Sequence, residues 1–372
     1  MNTKLGDIAE FINGGSWSDK EYTEIGIPVV KVTNLKNGTV DLTEVNYIPE
    51  SSLDKYGRHL LRKGDLVIAT VGSHPNLVAS AAGRATIIPA IAEGTLLNQN
   101  ALCIRTNNEN LHQGYLGYLG KSELFQGYLK SVGRGAANQV RIALGLIKEY
   151  SFQLPPLHTQ HRIASILSAY DDLIENNLKR IKLLEEKAFL SYKTVVKNEK
   201  LATVNKLEEI IETVKRKPKI LKSDYKDDGE FPIIDQSTDF IGGYTDEKET
   251  VYQDVPMIVF GDHTRILKYI NFPFACGADG TQLVKPKNSN VSVAYLYFEL
   301  ISCNLSNYHY ARHFKFLKEQ VIKLPSEKVM SEYKIETDII FNLMQVLRLQ
   351  NTKLREARDI LLPRMMSGEI NV

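Results

Sequence analysis

Along residues 154–196 the seam positions recur with alternating steps of four and three: Ile163, Leu167, Tyr170, Ile174, Asn177, Ile181, Leu184 and Ala188. This spacing predicts a long helix built to pack against another long helix. Pro155 and Pro156 open the stretch, and neither proline nor glycine interrupts it. Charged residues, among them Asp171, Asp172, Glu175, Lys179, Arg180 and Glu185, fill the remaining faces. A helix with one apolar stripe needs a partner, and the C-terminal stretch from about Glu332 supplies one. There Ile340, Met344, Leu347, Asn351 and Leu354 continue the four-three pattern, Ile335, Ile339, Leu343 and Leu361 widen it, and Pro363 and Gly368 end it. Each seam holds one asparagine, Asn177 and Asn351. If the helices pair antiparallel over their full lengths, these two fall near the same layer. A buried asparagine at such a position costs stability and sets register.

The other two stretches alternate short β-like runs with turn signals. In the first, Ile27–Val32, Asp65–Val71 and Ala101–Arg105 read as strands, and His112–Lys130 reads as helical. The second repeats the plan in the same order. Leu5-Gly-Asp-Ile8 returns as Leu207-Glu-Glu-Ile210, and Gly26-Ile-Pro-Val-Val30 as Glu230-Phe-Pro-Ile-Ile234. The Gly72…His74 spacing returns as Gly261…His263, Tyr115-Leu116 as Tyr295-Leu296, and Leu154-Pro155 as Leu324-Pro325. Five matches in one order imply an internal duplication of a domain plus a helix. The resulting division is 1–153, a first domain; 154–198, a central helix; 199–325, a second domain; and 326–372, a distal helix. The fold class is α+β, with two mixed α/β domains and a long antiparallel two-helix coiled coil.

Composition narrows the function less than the pattern does. The chain has 372 residues, 43% hydrophobic and 24% charged, with a net charge of only +2, so any electropositive surface must be local. The three cysteines, Cys103, Cys276 and Cys303, are scattered and suit free thiols in a reducing compartment. No apolar run approaches the ~20 residues of a membrane span. The N-terminus lacks the layout of a secretory signal. A cytoplasmic protein without membrane contact is expected.

No catalytic constellation emerges. There is no Gly-x-Gly-x-x-Gly after a strand, no Walker loop and no Asn-Pro-Pro-Tyr of an amino-methyltransferase. Glu185-Glu-Lys187 and Asp246-Glu-Lys248 lack the upstream Pro-Asp of a nuclease site. His309 and His313 are four apart, without an acidic or cysteine partner to complete a metal site. Local positive charge beside aromatics is the stronger signal. Residues 308–318 carry Arg312, His313, Lys315 and Lys318 among four aromatics. The matching place in the first copy carries Lys130, Arg134, Asn138, Gln139 and Arg141, with Gly133 and Gly135 allowing close backbone approach. Arginine and lysine can read guanine edges or hold phosphates, and Asn and Gln can read adenine. His74, and His263 with Arg265, sit at matched loops that are either shared structural turns or groove contacts. The run Lys215-Arg-Lys-Pro-Lys219 is basic, but acidic residues follow it closely, so a solvated loop is the default and phosphate contact the alternative.

The layout resembles the specificity subunit of type I restriction-modification systems. Leu154-Pro-Pro-Leu-His-Thr-Gln160, Ile163-Ala164, Leu167 and Asp171-Asp172-Leu-Ile174 are similar to that family's central conserved region. Leu361-Leu-Pro-Arg-Met-Met-Ser-Gly-Glu-Ile-Asn-Val372 is similar to its distal region. Tyr310–Lys318 with Leu324-Pro325 resembles one class of its target-recognition domains, although Ser326-Glu327 replaces the Pro and Gln expected next. The resemblance implies a non-catalytic subunit without cofactors of its own. Its partners would be double-stranded DNA, two methyltransferase subunits and motor-nuclease subunits, in a complex using S-adenosylmethionine, ATP and Mg. Each domain would read one half of a split target. Helices of ~35 residues span ~50 Å at 1.5 Å per residue, enough for half-sites ~34 Å apart. Two other readings stand beside this one: a free-standing nucleic-acid-binding scaffold, and a coiled-coil adaptor for proteins.

Overall fold

Leu157–Asn198 forms one uninterrupted helix of 42 residues and Glu327–Met366 another of 40. The structure, a computed structural model, describes residues 2–36, 39–73, 82–136, 139–198, 203–212, 214–277, 280–303 and 313–370. Two compact units partition the chain. One is Met1–Glu175 with Thr352–Val372, and the other is Asn176–Asn351. Each unit therefore owns one globular part and one segment of each long helix.

In the first unit, Ala9–Asn13, Ala101–Thr106, Leu66–Ala69 and Ala85–Ile87 make a four-stranded antiparallel sheet. A smaller sheet centres on Ile27–Val30, which pairs parallel with Leu96–Leu97 and antiparallel with Asn46–Ile48. Leu66, Ile68, Leu102 and Ile104 meet Tyr115, Leu116 and Leu119 in one core. That core continues onto Ile163 and Leu167 of the central helix and Leu362 and Met365 of the distal helix. Fully burying each such side chain contributes about 1.5–3 kcal/mol. The expected helix over His112–Lys130 is two helices, Gln113–Lys121 and Glu123–Val132. Ser122 separates them, its Oγ accepting from the Phe125 amide at 3.3 Å as an N-cap.

The second unit repeats this topology. Met257–Gly261 pairs with Leu267–Ile270 and Thr281–Val284, while Phe231–Ile234 pairs parallel with Phe274–Cys276 and antiparallel with Gly243–Thr245. In both units the first strand closes on the strand that precedes a long helix. Asn2–Lys4 pairs with Ser151–Gln153, and Thr203–Lys206 with Val321–Leu324. That closure explains why Leu-Pro recurs at 154 and 324. The chain leaves a ladder there, and proline, which lacks an N–H, ends the pairing.

The long helices run antiparallel within each unit. Asn177 Nδ2 donates to Asn351 Oδ1 at 2.9 Å, and both residues are buried. Two features of the distal helix differ from the expectation. Ile335 and Ile339 are 62% and 65% exposed, and Leu343 is exposed too, so they do not widen the buried stripe. Met330, Tyr333, Thr337 and Phe341 do so instead, because the second domain packs on that side. Nor does Pro363 end the helix. It lies inside, and the helix runs on one turn to Met366, just before Gly368, whose φ of +77° suits a left-handed C-terminal cap.

Candidate nucleic-acid interface

In the first unit the expected basic segment is the end of a helix followed by a β-hairpin. Arg134–Ala136 pairs with Gln139–Arg141, and the latter also pairs with Val71–Gly72. Val140 is buried beneath the hairpin, while Arg134, Gln139 and Arg141 are exposed, as is Lys130 on the preceding helix. Arg134 and Arg141 are direct cross-strand partners. Like charges placed directly opposite destabilise a strand pair, and a bound anion would relieve that repulsion. Both arginines line a groove with Thr70, Gln99 and Asn100. Asn138 and His74 lie outside the described residues.

The glycines of this segment serve the hairpin itself. A Cβ on Gly135, whose φ is +143°, would stand 2.1 Å from the Gln139 carbonyl oxygen, and one on Gly133 would stand 3.0 Å from Val140 Cγ1. Within the fold, the close approach these glycines allow is to the partner strand.

In the second unit, His263 and Arg265 are exposed on the tight loop after Met257–Gly261. Arg265 has a φ of +62°, and its amide donates to the Gly261 carbonyl at 2.7 Å. Gln236 buttresses the loop: its Oε1 accepts from the His263 amide at 3.2 Å, and its carbonyl accepts from Thr264 Oγ1 at 2.8 Å. The residue before Gln236, Asp235, belongs to a buried ion pair. Lys268 Nζ donates to the carbonyls of Asp235 at 2.8 Å and Asp239 at 2.5 Å, and lies 3.8 Å from Asp235 Oδ1. Burial pushes the Lys268 ammonium below its usual range against the opposing pull of Asp235 and Asp239. Burial also pushes the Asp235 carboxyl upward, but hydrogen bonds from Ser237 and the charges of Lys268 and Lys222 outweigh it and leave it below the usual range.

Asp262, which sequence reasoning passed over, is the joint of this region. It is buried, its Oδ1 accepts from the Phe314 amide at 2.8 Å, and its carbonyl accepts from the His313 amide at 3.2 Å. It thereby docks the short helix His313–Lys318 beside the His263 loop. The helix turns Lys315 outward and leaves Lys318 half-buried. His313 is only 6% exposed, and its Nδ1 has no hydrogen-bond partner among the described residues. This corrects its placement among solvent-facing DNA contacts, because the apolar side of so short a helix must face the core. Arg312 and His309 lie outside the described residues.

The structure also gathers residues that are far apart in sequence. Arg216, Lys217 and Lys219 line one cavity with Gln282, Phe314 and Lys318. The Lys215–Lys219 run is thus part of the same face as the short helix rather than a detached loop.

Burial pushes all three thiols up, Cys276 to about 12 and Cys303 to about 11. Among the described residues no three His, Cys, Asp or Glu side chains are grouped to hold a metal ion. No described helix is long and apolar enough to cross a membrane.

Comparison with known proteins agrees with this layout. The family profile "Type I restriction modification DNA specificity domain" matches residues 1–186 and again 199–357. The putative type I restriction enzyme MjaX specificity subunit of Methanocaldococcus jannaschii is 24% identical over 404 residues, covering 99% of this chain and 93% of the relative. The MjaIX specificity subunit of the same organism is 24% identical over 416 residues, with 99% and 93% covered. Among solved structures, the type I restriction-modification S subunit from M. genitalium superposes with a TM-score of 0.56 at 16% identity, covering 98% of this chain and 95% of that one. That last likeness is one of fold.

Proposed function

This chain belongs to the type I restriction modification DNA specificity family, and we propose that its two globular parts read the two halves of one split DNA target. The observation that carries this reading is the exposed cross-strand pair Arg134 and Arg141, with Gln139 beside it and Lys130 on the adjoining helix. Two opposed arginines on a hairpin match paired acceptors, whether a guanine edge or adjacent phosphates. In the second part, Lys315, Lys318, His263 and Arg265 take the corresponding role.

The subunit contributes recognition, and its partners contribute the reaction. S-adenosylmethionine, ATP and Mg belong on this reading to methyltransferase and motor-nuclease subunits. The distal helix offers a place for the former. Ile335, Ile339, Leu343, Val346 and Leu349 are exposed and follow steps of four and three along one face. Leu183 and Leu190, one heptad apart on the central helix, are exposed as well. Two methyltransferase subunits docking helically on such faces would cover the apolar surface. The asparagine layer supports register for the spacer, since slipping either helix by a turn would bury each amide against an apolar side chain.

The test is binding of the full chain to duplexes. Arg134→Ala should relax discrimination at one half of the target and leave the other half unchanged. Equal loss on specific and random duplexes would reduce Arg134 to a phosphate anchor. Binding that does not weaken steeply with salt would remove DNA as the ligand, since phosphate contacts release counterions. Co-purification of a subunit with methyltransferase motifs separates the proposal from a free-standing scaffold.

A further inference from the structure

The cavity beside the short helix of the second unit is strongly basic for a reason that its lining makes clear. Arg216, Lys217, Lys219 and Lys318 stand around it, against two acids, Glu208 and Glu212. Both acids are engaged by lysines outside the lining. Lys206 Nζ lies 4.0 Å from Glu208, and Lys285 Nζ, which pairs more closely with Asp254, lies 3.8 Å from Glu212. The positive side is thus left in excess within a chain whose net charge is close to zero.

The cations differ in how they are held. Lys217 is committed to the fold: its Nζ donates to the Val251 carbonyl at 2.5 Å, and its amide donates to Tyr252 Oη at 2.8 Å. These two bonds anchor the 215–219 segment to the domain. Lys318 lies over the Phe314 ring at 5.6 Å. Arg216 is exposed, yet one arm of its guanidinium is fixed, with Nη2 donating to Gln282 Oε1 at 2.9 Å. Gln282 sits in the strand Thr281–Val284, opposite Phe260 in the ladder, and its Nε2 faces Asp262 Oδ2 at 3.5 Å. Asp262 in turn holds the start of the short helix.

A phosphate needs only a charge within reach, and a flexible lysine supplies that. An arginine whose fork is oriented by a strand-borne amide is the arrangement that reads an edge with two acceptors in fixed geometry. We propose that Arg216, oriented by Gln282, reads a guanine edge in the second half of the DNA target, with Lys318 holding the neighbouring backbone. Gln282 is a positioning residue. The inference rests on the reading of this chain as a DNA specificity subunit and assigns a base to a segment that sequence alone leaves as a solvated loop.

The experiment selects bound duplexes from a randomised pool with the full chain, then sequences them. Wild type should enrich a two-part motif. Arg216→Ala should lose one guanine position in one half, by on the order of tenfold to a hundredfold in preference, and keep the rest. Arg216→Lys should lose the same position, because the charge remains and the fork does not. Gln282→Met should blur that position partially. Each variant's melting temperature is measured to confirm folding; Arg216 is exposed, so its replacement should leave it unchanged. Uniform weakening across all sequences, with a shallower salt dependence, would make Arg216 a phosphate contact and overturn the proposal. An unchanged motif would overturn it too. If wild type enriches no motif, the specificity reading itself fails and takes this inference with it.

Discussion

Asp171 joins three helices of the first unit, and its removal gives a sharp test of how the globular part is seated on the long helices. Tyr118 Oη donates to Asp171 Oδ2 at 2.7 Å, and Arg358 Nη1 donates to Oδ1 at 2.5 Å. Lys121 Nζ stands 3.9 Å away. Asp171→Ala removes a charge-assisted hydrogen bond, worth about 1.5–3 kcal/mol, and the tyrosine bond, worth about 1 kcal/mol. Two features reduce the total. The Asp171 side chain is 29% exposed, so solvent screens part of the attraction, and the 12% exposed Arg358 keeps its second partner, Asp359. The loss should therefore stay near the lower end of the ~3–5 kcal/mol expected for breaking a buried pair, and we expect about 3 kcal/mol. Urea unfolding followed by fluorescence of Trp17, the sole tryptophan and a member of this unit, measures it. A double-mutant cycle with Arg358→Met should show coupling of at least ~1 kcal/mol. A change below ~0.5 kcal/mol, as for an ordinary surface substitution, would show that Asp171 is a solvated charge and that the seating lies elsewhere.

Other expectations follow from the same structure. Asn177→Leu should destabilise the second unit by about 1–3 kcal/mol by taking away the buried donor that Asn351 accepts from, whereas Asn177→Leu with Asn351→Leu should recover most of that loss; chemical unfolding of the three variants decides. Ile339→Glu and Val346→Glu should leave thermal stability unchanged, since both positions are exposed, but abolish co-purification with a methyltransferase subunit. The Glu21 carboxyl is held down at about 2 by the Tyr56 hydroxyl, the Ser18 amide and Lys55. Its folded value lies below the unfolded one, so its contribution to stability is complete above pH ~4.5 and is lost as the pH falls towards ~2. Acid unfolding of Glu21→Gln should lack that dependence between the two values, and identical profiles would refute the assignment.

The periodicity of residues 154–196 determined the central helix, and five matched motifs determined that the domain-plus-helix plan occurs twice. Both are local properties: a seam repeats along its own helix, and duplicated segments share the turns and strand ends that their own residues demand. The paired prolines at 155 and 325 follow from the same local rules, as does the placement of Asn177 and Asn351 in one layer, given antiparallel helices. The site was only half legible. Charge beside aromatics marked Arg134, Arg141, Lys315 and Lys318, but nothing in the sequence shows that Arg134 and Arg141 are cross-strand partners, because ladder register depends on where the chain turns.

Tertiary structure decided the rest, wherever a residue's role depends on what another element brings to it. Asp171 reads as one more charge on a solvated face until Tyr118 and Arg358 arrive from other helices. Ile335 and Ile339 read as core until the second domain packs on a different side of the distal helix and leaves them exposed. His313 reads as a basic surface residue until its short helix turns it inward. Arg216 sits 66 residues from Gln282, and only folding sets the one as the other's support. Spacing along a chain tells which side chains share an element's face; which face another element covers is a long-range outcome, and the character of this site rests on it.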